Sequence, residues 1–139
     1  MKLLYGAEVD CVDHTLETAH FPPPENFVEI KASVRFTLKH KLQQWWAQSF
    51  LVGIPRVLVA CHEGDGIVDT LQIIKTESIP RIAARTGCAF EPTKMIDFLE
   101  EFLTFVNNVV EEEEVVYCFE SKPEWEEIRF SSDSDKTKG

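Results

Sequence analysis

Two short stretches place ionisable residues where strands usually avoid them. Tyr5-Gly6-Ala7-Glu8-Val9-Asp10-Cys11 sets two carboxylates two residues apart, and Phe27-Val28-Glu29-Ile30-Lys31-Ala32-Ser33 sets a carboxylate and an ammonium at the same spacing. Strand side chains alternate between faces. Glu8 and Asp10 would therefore project together, as would Glu29 and Lys31, leaving Val28, Ile30, Ala32 and Val34 as an apolar opposite face. If the two strands pair, three carboxylates and one ammonium converge on one patch. Carboxylates a few ångströms apart repel, and at least one is driven toward protonation. A divalent cation removes that conflict. Hard oxygen ligands suit Mg2+ or Mn2+, with waters and a substrate phosphate completing the octahedron. Two such ions about 3.5–4 Å apart activate a water and stabilise a leaving oxygen, and Lys31 would then contact the scissile phosphate or the attacking water. The same residues also fit an exposed sheet face with cross-strand charge pairs. An acid, a gap and Glu-x-Lys is a loose pattern, common by chance.

The elements that must position these side chains can be read from periodicity and turn chemistry. Strands are expected over residues 3–12 and 27–35, separated by a loop at Pro22-Pro23-Pro24. A helix over 36–51 follows, stopped by Gly53 and Pro55. Leu38, Leu42, Trp45 and Ser49 stack on one face of it, widened by Trp46 and Phe50. Lys41, Gln44 and Gln48 run along one flank, where they can border a groove while the tryptophans pack in the core. Residues 56–62 and 67–76 read as a hairpin about Gly64-Asp65-Gly66. Ser78-Ile79-Pro80 can cap a short helix, and Pro92-Thr93 opens a longer one through about Val110. Strands at 115–119 and 128–130 close the pattern. Residues 131–139 form a polar tail expected to be disordered. The sum is an α+β fold, a mixed β-sheet with flanking helices.

Composition narrows the functional classes. The net charge of −10 argues at first against a nucleic-acid partner. The segment from Asp97 to Glu127 nevertheless holds eleven acidic residues against Lys122 alone, and Lys31 to Lys94 holds nine basic against five acidic. A polyanion could approach the basic stretch with the acidic one turned away. Glu111-Glu112-Glu113-Glu114 itself reads as a solvated face. Cys11, Cys61, Cys88 and Cys118 show no C-x-x-C spacing and read as buried free thiols in a reducing compartment. No run reaches the roughly 18 apolar residues of a membrane span. Ser33 and Ser49 have no histidine partner at triad spacing, and the glycines form no phosphate loop.

Gly6-Ala7-Glu8-Val9-Asp10-Cys11 resembles the Glu-hydrophobic-Asp motif of the decapping exoribonuclease (DXO) family, within the PD-(D/E)XK nuclease superfamily. Val28-Glu29-Ile30-Lys31-Ala32-Ser33 resembles its Glu-hydrophobic-Lys motif. The most specific stretch is His40-Lys41-Leu42 with Trp45-Trp46-Ala47-Gln48-Ser49-Phe50-Leu51-Val52-Gly53-Ile54-Pro55, which is similar to that family's helix and following turn. The resemblance covers roughly residues 3 to 130, so 1–130 is taken as the C-terminal portion of such a domain and 131–139 as its tail. It implies a PD-(D/E)XK nuclease-like fold lacking its N-terminal half. Glu8, Asp10 and Glu29 would be metal ligands, joined by the backbone carbonyl of Ile30, for Mg2+ or Mn2+, with two ions in the complete site. Lys31 and Gln48 would lie at the reacting phosphate, with Lys41 and Gln44 on the substrate path.

By the same resemblance the activity is hydrolysis at RNA 5′ ends: removal of incomplete or NAD caps, 5′ pyrophosphohydrolysis and 5′→3′ exonucleolysis. Family members also carry an upstream arginine motif and a Gly-hydrophobic-x-hydrophobic-Glu motif, neither of which is matched here, so activity is expected to be impaired. The alternative is a non-catalytic RNA- or protein-binding module. Expected partners are an RNA 5′ end and a nuclear 5′→3′ exoribonuclease, with no membrane. The expected location is the nucleus, extending to the cytoplasm.

Overall fold

The computed structural model describes residues 2–15 and 22–133, apart from the side chain of Phe36. The polar tail expected from residue 131 falls outside these residues from 134 onward. The chain divides into two compact units, Met1–Thr93 and Lys94–Gly139.

The first unit is built on a four-stranded sheet of order β1-β2-β3-β4, with β1 Cys11–Val12, β2 Phe27–Val34, β3 Arg56–His62 and β4 Val68–Lys75. β2 and β3 are parallel, and the outer pairings are antiparallel. A parallel pair needs a crossover, which α1 Leu42–Val52 supplies. The expected helix over 36–51 is not continuous. A 3-10 stretch, Arg35–His40, leaves β2, and the α-helix starts only after Lys41, whose N–H donates to the carbonyl of Leu38 at 3.0 Å. Tight i→i+3 turns of this kind are a common way into a helix. The other end is where glycine is required. Gly53 sits at φ 78°, a left-handed turn that brings the Ile54 N–H onto the Ser49 carbonyl at 2.8 Å, and Pro55 follows.

One sheet face is packed. Val57, Val59, Cys61 and Ile74 lie buried there with Leu42, Trp45 and Trp46 of α1 and Ile79 and Ala83 of α2 Ile79–Arg85. Fully burying one such aliphatic side chain contributes about 1.5–3 kcal/mol. Both tryptophans are core residues as the sequence indicates, each 4% exposed, and Trp46 stacks on Phe50 at 4.7 Å between centroids. Ser78 makes no side-chain cap on α2, and Pro80 in its first turn sets the start instead.

The first expected strand is largely absent. Only Cys11–Val12 pair, against Phe27 and Val28. Continuing that register would set Val9 opposite Ile30, but the Ile30 N–H donates to Asp10 Oδ2 at 2.8 Å. A short acidic side chain that takes a backbone donor competes with the ladder, and the strand stops there. Residues 2–9 run on as irregular chain, tied back by the Tyr5 hydroxyl donating to the Leu51 carbonyl.

The second unit contains most of α3 Pro92–Val109 and a hairpin of β5 Tyr117–Glu120 with β6 Arg129–Ser132. Phe102, Phe105, Phe119 and Phe130 form an aromatic cluster, half-buried except for the exposed Phe130, with centroid separations of 5.7–6.1 Å. β6 includes Ser131 and Ser132, the latter buried, so regular structure runs past the boundary placed at residue 130. Cross-strand pairing with Tyr117 and Cys118 outweighs the polar composition there. All four cysteines are free, but only Cys61 is buried; Cys88 is half-buried, and Cys11 and Cys118 are exposed on β1 and β5. Among the described residues no helix is long and apolar enough to cross a membrane.

Candidate active site

β2 carries Glu29, Lys31 and Ser33 on the face turned toward α1. Glu29 is 8% exposed, which would be costly for a carboxylate without a partner. Lys31 Nζ supplies one at 2.5 Å from Glu29 Oε1. The two residues share a face, as the alternation indicates. That face is the packed one, while Ile30, on the reverse, is 45% exposed.

Glu8 and Asp10 reach the same place by another route than strand alternation. They line a pocket of about 400 Å³ together with Glu29 and Gln48, closed by Tyr5, Leu51 and Ile54. Asp10 is held by its bond to the Ile30 amide. The N–H and C=O of one strand residue point to the same side, so the Ile30 carbonyl also faces this edge of the sheet. Gln48 projects from the exposed flank of α1 into the pocket. Lys41 and Gln44 are not part of its lining; they belong to the helix surface outside it.

Three contacts that the motifs do not announce keep the edge in position. Asp13 Oδ2 accepts from Arg56 at 2.8 Å, and Arg56 also donates to the Glu25 carbonyl at 3.2 Å. Asp13 N–H donates to the Asn26 carbonyl at 2.7 Å. The Thr15 hydroxyl and amide, with Arg56 beside them, hold the Asp13 carboxyl below its ordinary value. Asp69 is likewise lowered, by Thr70 and by Arg35. The available signal for the first network was Asp13 two residues before Thr15, an Asx-turn spacing. Nothing local points to Arg56 as its partner.

The carboxylates fit a hard divalent ion by donor type, since Glu8, Asp10, Glu29 and the Ile30 carbonyl are all oxygen donors. Their arrangement is looser than a ligand shell. Among the described residues no three His, Cys, Asp or Glu side chains are grouped closely enough to hold a metal. Glu29 is engaged by Lys31 and Asp10 by a backbone amide, which accounts for that spread. A larger cavity of about 610 Å³ runs along α3 past Asp97, Glu100 and Glu101. It offers acids from one helix with no cation or backbone donor among them, so the chemistry is better placed in the smaller pocket.

A mixed sheet with a crossover helix over one face, and acids beside a lysine at the sheet edge, define a PD-(D/E)XK nuclease-like domain. The model of the RAI1 like PD-(D/E)XK nuclease family matches residues 1–139, and the chain belongs to that family. It is 30% identical over 132 residues to the decapping and exoribonuclease protein of Xenopus laevis, covering 88% of this chain and 32% of that one. Identity to the decapping nuclease RAI1 of Aspergillus fumigatus is 33% over 119 residues, covering 80% and 32%. The crystal structure of S. pombe Rai1 in complex with 3'-FADP is similar with a TM-score of 0.62 at 27% identity, covering 73% of this chain and 34% of that one. The chain thus spans about a third of the length of these relatives.

Proposed function

We propose that this chain carries the catalytic carboxylate edge of a metal-dependent hydrolase acting on RNA 5′ ends. The observation that carries the reading is one pocket lined by Glu8, Asp10, Glu29 and Gln48, with Lys31 bonded to Glu29 beside it. Glu8, Asp10, Glu29 and the Ile30 carbonyl would hold Mg2+ or Mn2+, two ions in the complete site. Bound there, such ions supply a water of lowered pKa and charge stabilisation for the leaving oxygen. Lys31 orients the phosphate and offsets its charge, and Gln48 positions the nucleophilic water by hydrogen bonding. Lys41 and Gln44, outside the pocket on the same helix, guide the RNA chain toward it. Relatives are named a decapping and exoribonuclease protein and a decapping nuclease, which supports decapping and nuclease chemistry; the substrates on this reading are RNAs with incomplete or NAD caps, 5′-triphosphates and free 5′ ends. On this reading the protein works in the nucleus, extending to the cytoplasm, beside a nuclear 5′→3′ exoribonuclease.

A second reading, a non-catalytic RNA- or protein-binding module, is favoured by one observation. The carboxylates are not gathered into a ligand group, and the lysine neutralises the most buried of them. Product release from 5′-triphosphate, unmethylated-cap and NAD-capped RNA with Mg2+ or Mn2+ separates the two. Hydrolysis lost in Glu29→Ala supports the enzyme. RNA binding without product, unchanged by that substitution, supports the module.

A further inference from the structure

Cys88 is half-buried in the first unit, and its Sγ lies 3.7 Å from Nδ1 of His40, a hydrogen-bond contact for a thiol. With the ring proton on Nε2, Nδ1 is the acceptor. The two residues are 48 apart in the chain, and backbone turns hold both. Gly87, at φ 77°, closes α2: its N–H donates to the Ala84 carbonyl at 3.4 Å, and that of Cys88 to the Ala83 carbonyl at 2.9 Å. His40 ends the 3-10 stretch that leads into α1. Just past Cys88, Phe90 packs on Trp46 of α1 with centroids 5.6 Å apart. A nucleophile beside a base, both fixed by the backbone, is the arrangement that activates a thiol. Neither residue lines the pocket of Glu8, Asp10 and Glu29.

The charge near this pair differs from that near the exposed cysteines. Within four residues of Cys88 or His40 stand Lys39, Lys41 and Arg85, against one acid, Glu91. Within four of Cys11 stand Glu8, Asp10 and Asp13 with no lysine or arginine, and within four of Cys118 stand Glu114 and Glu120 with Lys122. We propose that Cys88, with His40 as its base, is a thiol-exchange site for an anionic low-molecular-weight disulfide of the glutathione disulfide class. His40 Nδ1 takes the thiol proton as Cys88 Sγ attacks one sulfur of the disulfide. A new S–S bond forms, the old one breaks, and its electron pair leaves on the second sulfur, which takes up a proton. Cys88 ends oxidised in a mixed disulfide, and one half of the reagent leaves reduced as a thiol. The site stands apart from the proposed nuclease chemistry and does not rest on it.

The test incubates the 139-residue protein with glutathione disulfide at neutral pH and follows the peptide of each cysteine by mass spectrometry. Cys88 should gain the mixed disulfide about tenfold or more faster than Cys11 and Cys118, although both of these are more exposed. His40→Gln should bring Cys88 down to their rate. In denaturing urea the three rates of the unchanged protein should converge, a measurement that needs no variant to fold. Bis(2-hydroxyethyl) disulfide, which is uncharged, should keep the effect of His40→Gln and show a smaller preference for Cys88. Equal rates at the three cysteines of the folded protein would overturn the proposal, as would a preference undiminished in urea or untouched by His40→Gln. An undiminished preference with the neutral reagent would overturn the anionic partner.

Discussion

Asp10 joins the candidate chemistry to the local structure. Its carboxylate ends β1 by taking the Ile30 amide and opens at the same time on the pocket it shares with Glu8 and Glu29. Asp10→Ala should abolish site-specific Mg2+ or Mn2+ binding in titration calorimetry. Equal affinity in the variant would place the ions elsewhere, with the glutamates at 111–114 the first alternative. Asp13 gives a separate, pH-dependent prediction. Thr15 and Arg56 lower its pKa in the folded chain, so the stability it contributes is present above the unfolded-state value and is lost as pH falls through the folded one. That loss belongs below about pH 4, the ordinary aspartate value. Urea midpoints measured down the acid range should fall less steeply in Asp13→Asn, and identical slopes would contradict the assignment.

At the scale of elements, α1 does two things with two faces. Its inner side, Leu42, Trp45, Trp46 and Ser49, is buried on the sheet, while Gln48 looks into the pocket. The placement of Gln48 therefore depends on how firmly the inner side packs. Trp45→Ala should destabilise the first unit by about 3–5 kcal/mol, because it opens a cavity that the surrounding strands fill only in part. Denaturant unfolding followed by the remaining tryptophans measures it, and a loss under about 1 kcal/mol would mean that Trp45 is not a core residue.

At the scale of the whole molecule, the acidic excess lies in the second unit and the candidate site in the first. The chain spans about a third of its relatives, and the pocket's acids are not gathered as ligands. Misplacing reacting groups by about 1 Å costs on the order of 100-fold in rate. The 139-residue protein should therefore release product from 5′-triphosphate RNA far more slowly than a chimera in which it replaces the matched segment of the Xenopus laevis protein. Robust turnover by the chain alone would show that its own residues suffice.

Much of this was legible without coordinates. The family rested on Glu8, Asp10, Glu29, Lys31 and the run from Trp45 to Pro55, which are local patterns. Helix stops and the β3–β4 hairpin were equally local, since Gly53, Pro55 and Gly64-Asp65-Gly66 act through their own backbone preferences. The tertiary structure decided what depends on distant partners. Alternation predicted a long first strand, but the carboxylate of Asp10 outcompeted a ladder bond from residue 30. It also predicted which side chains share a face, though not that the charged face of β2 would be the covered one. That depends on which side of the sheet the crossover helix α1 takes. Arg56 holding Asp13 across 43 residues was invisible for the same reason: a side-chain pair set by the fold leaves no periodic trace in the chain.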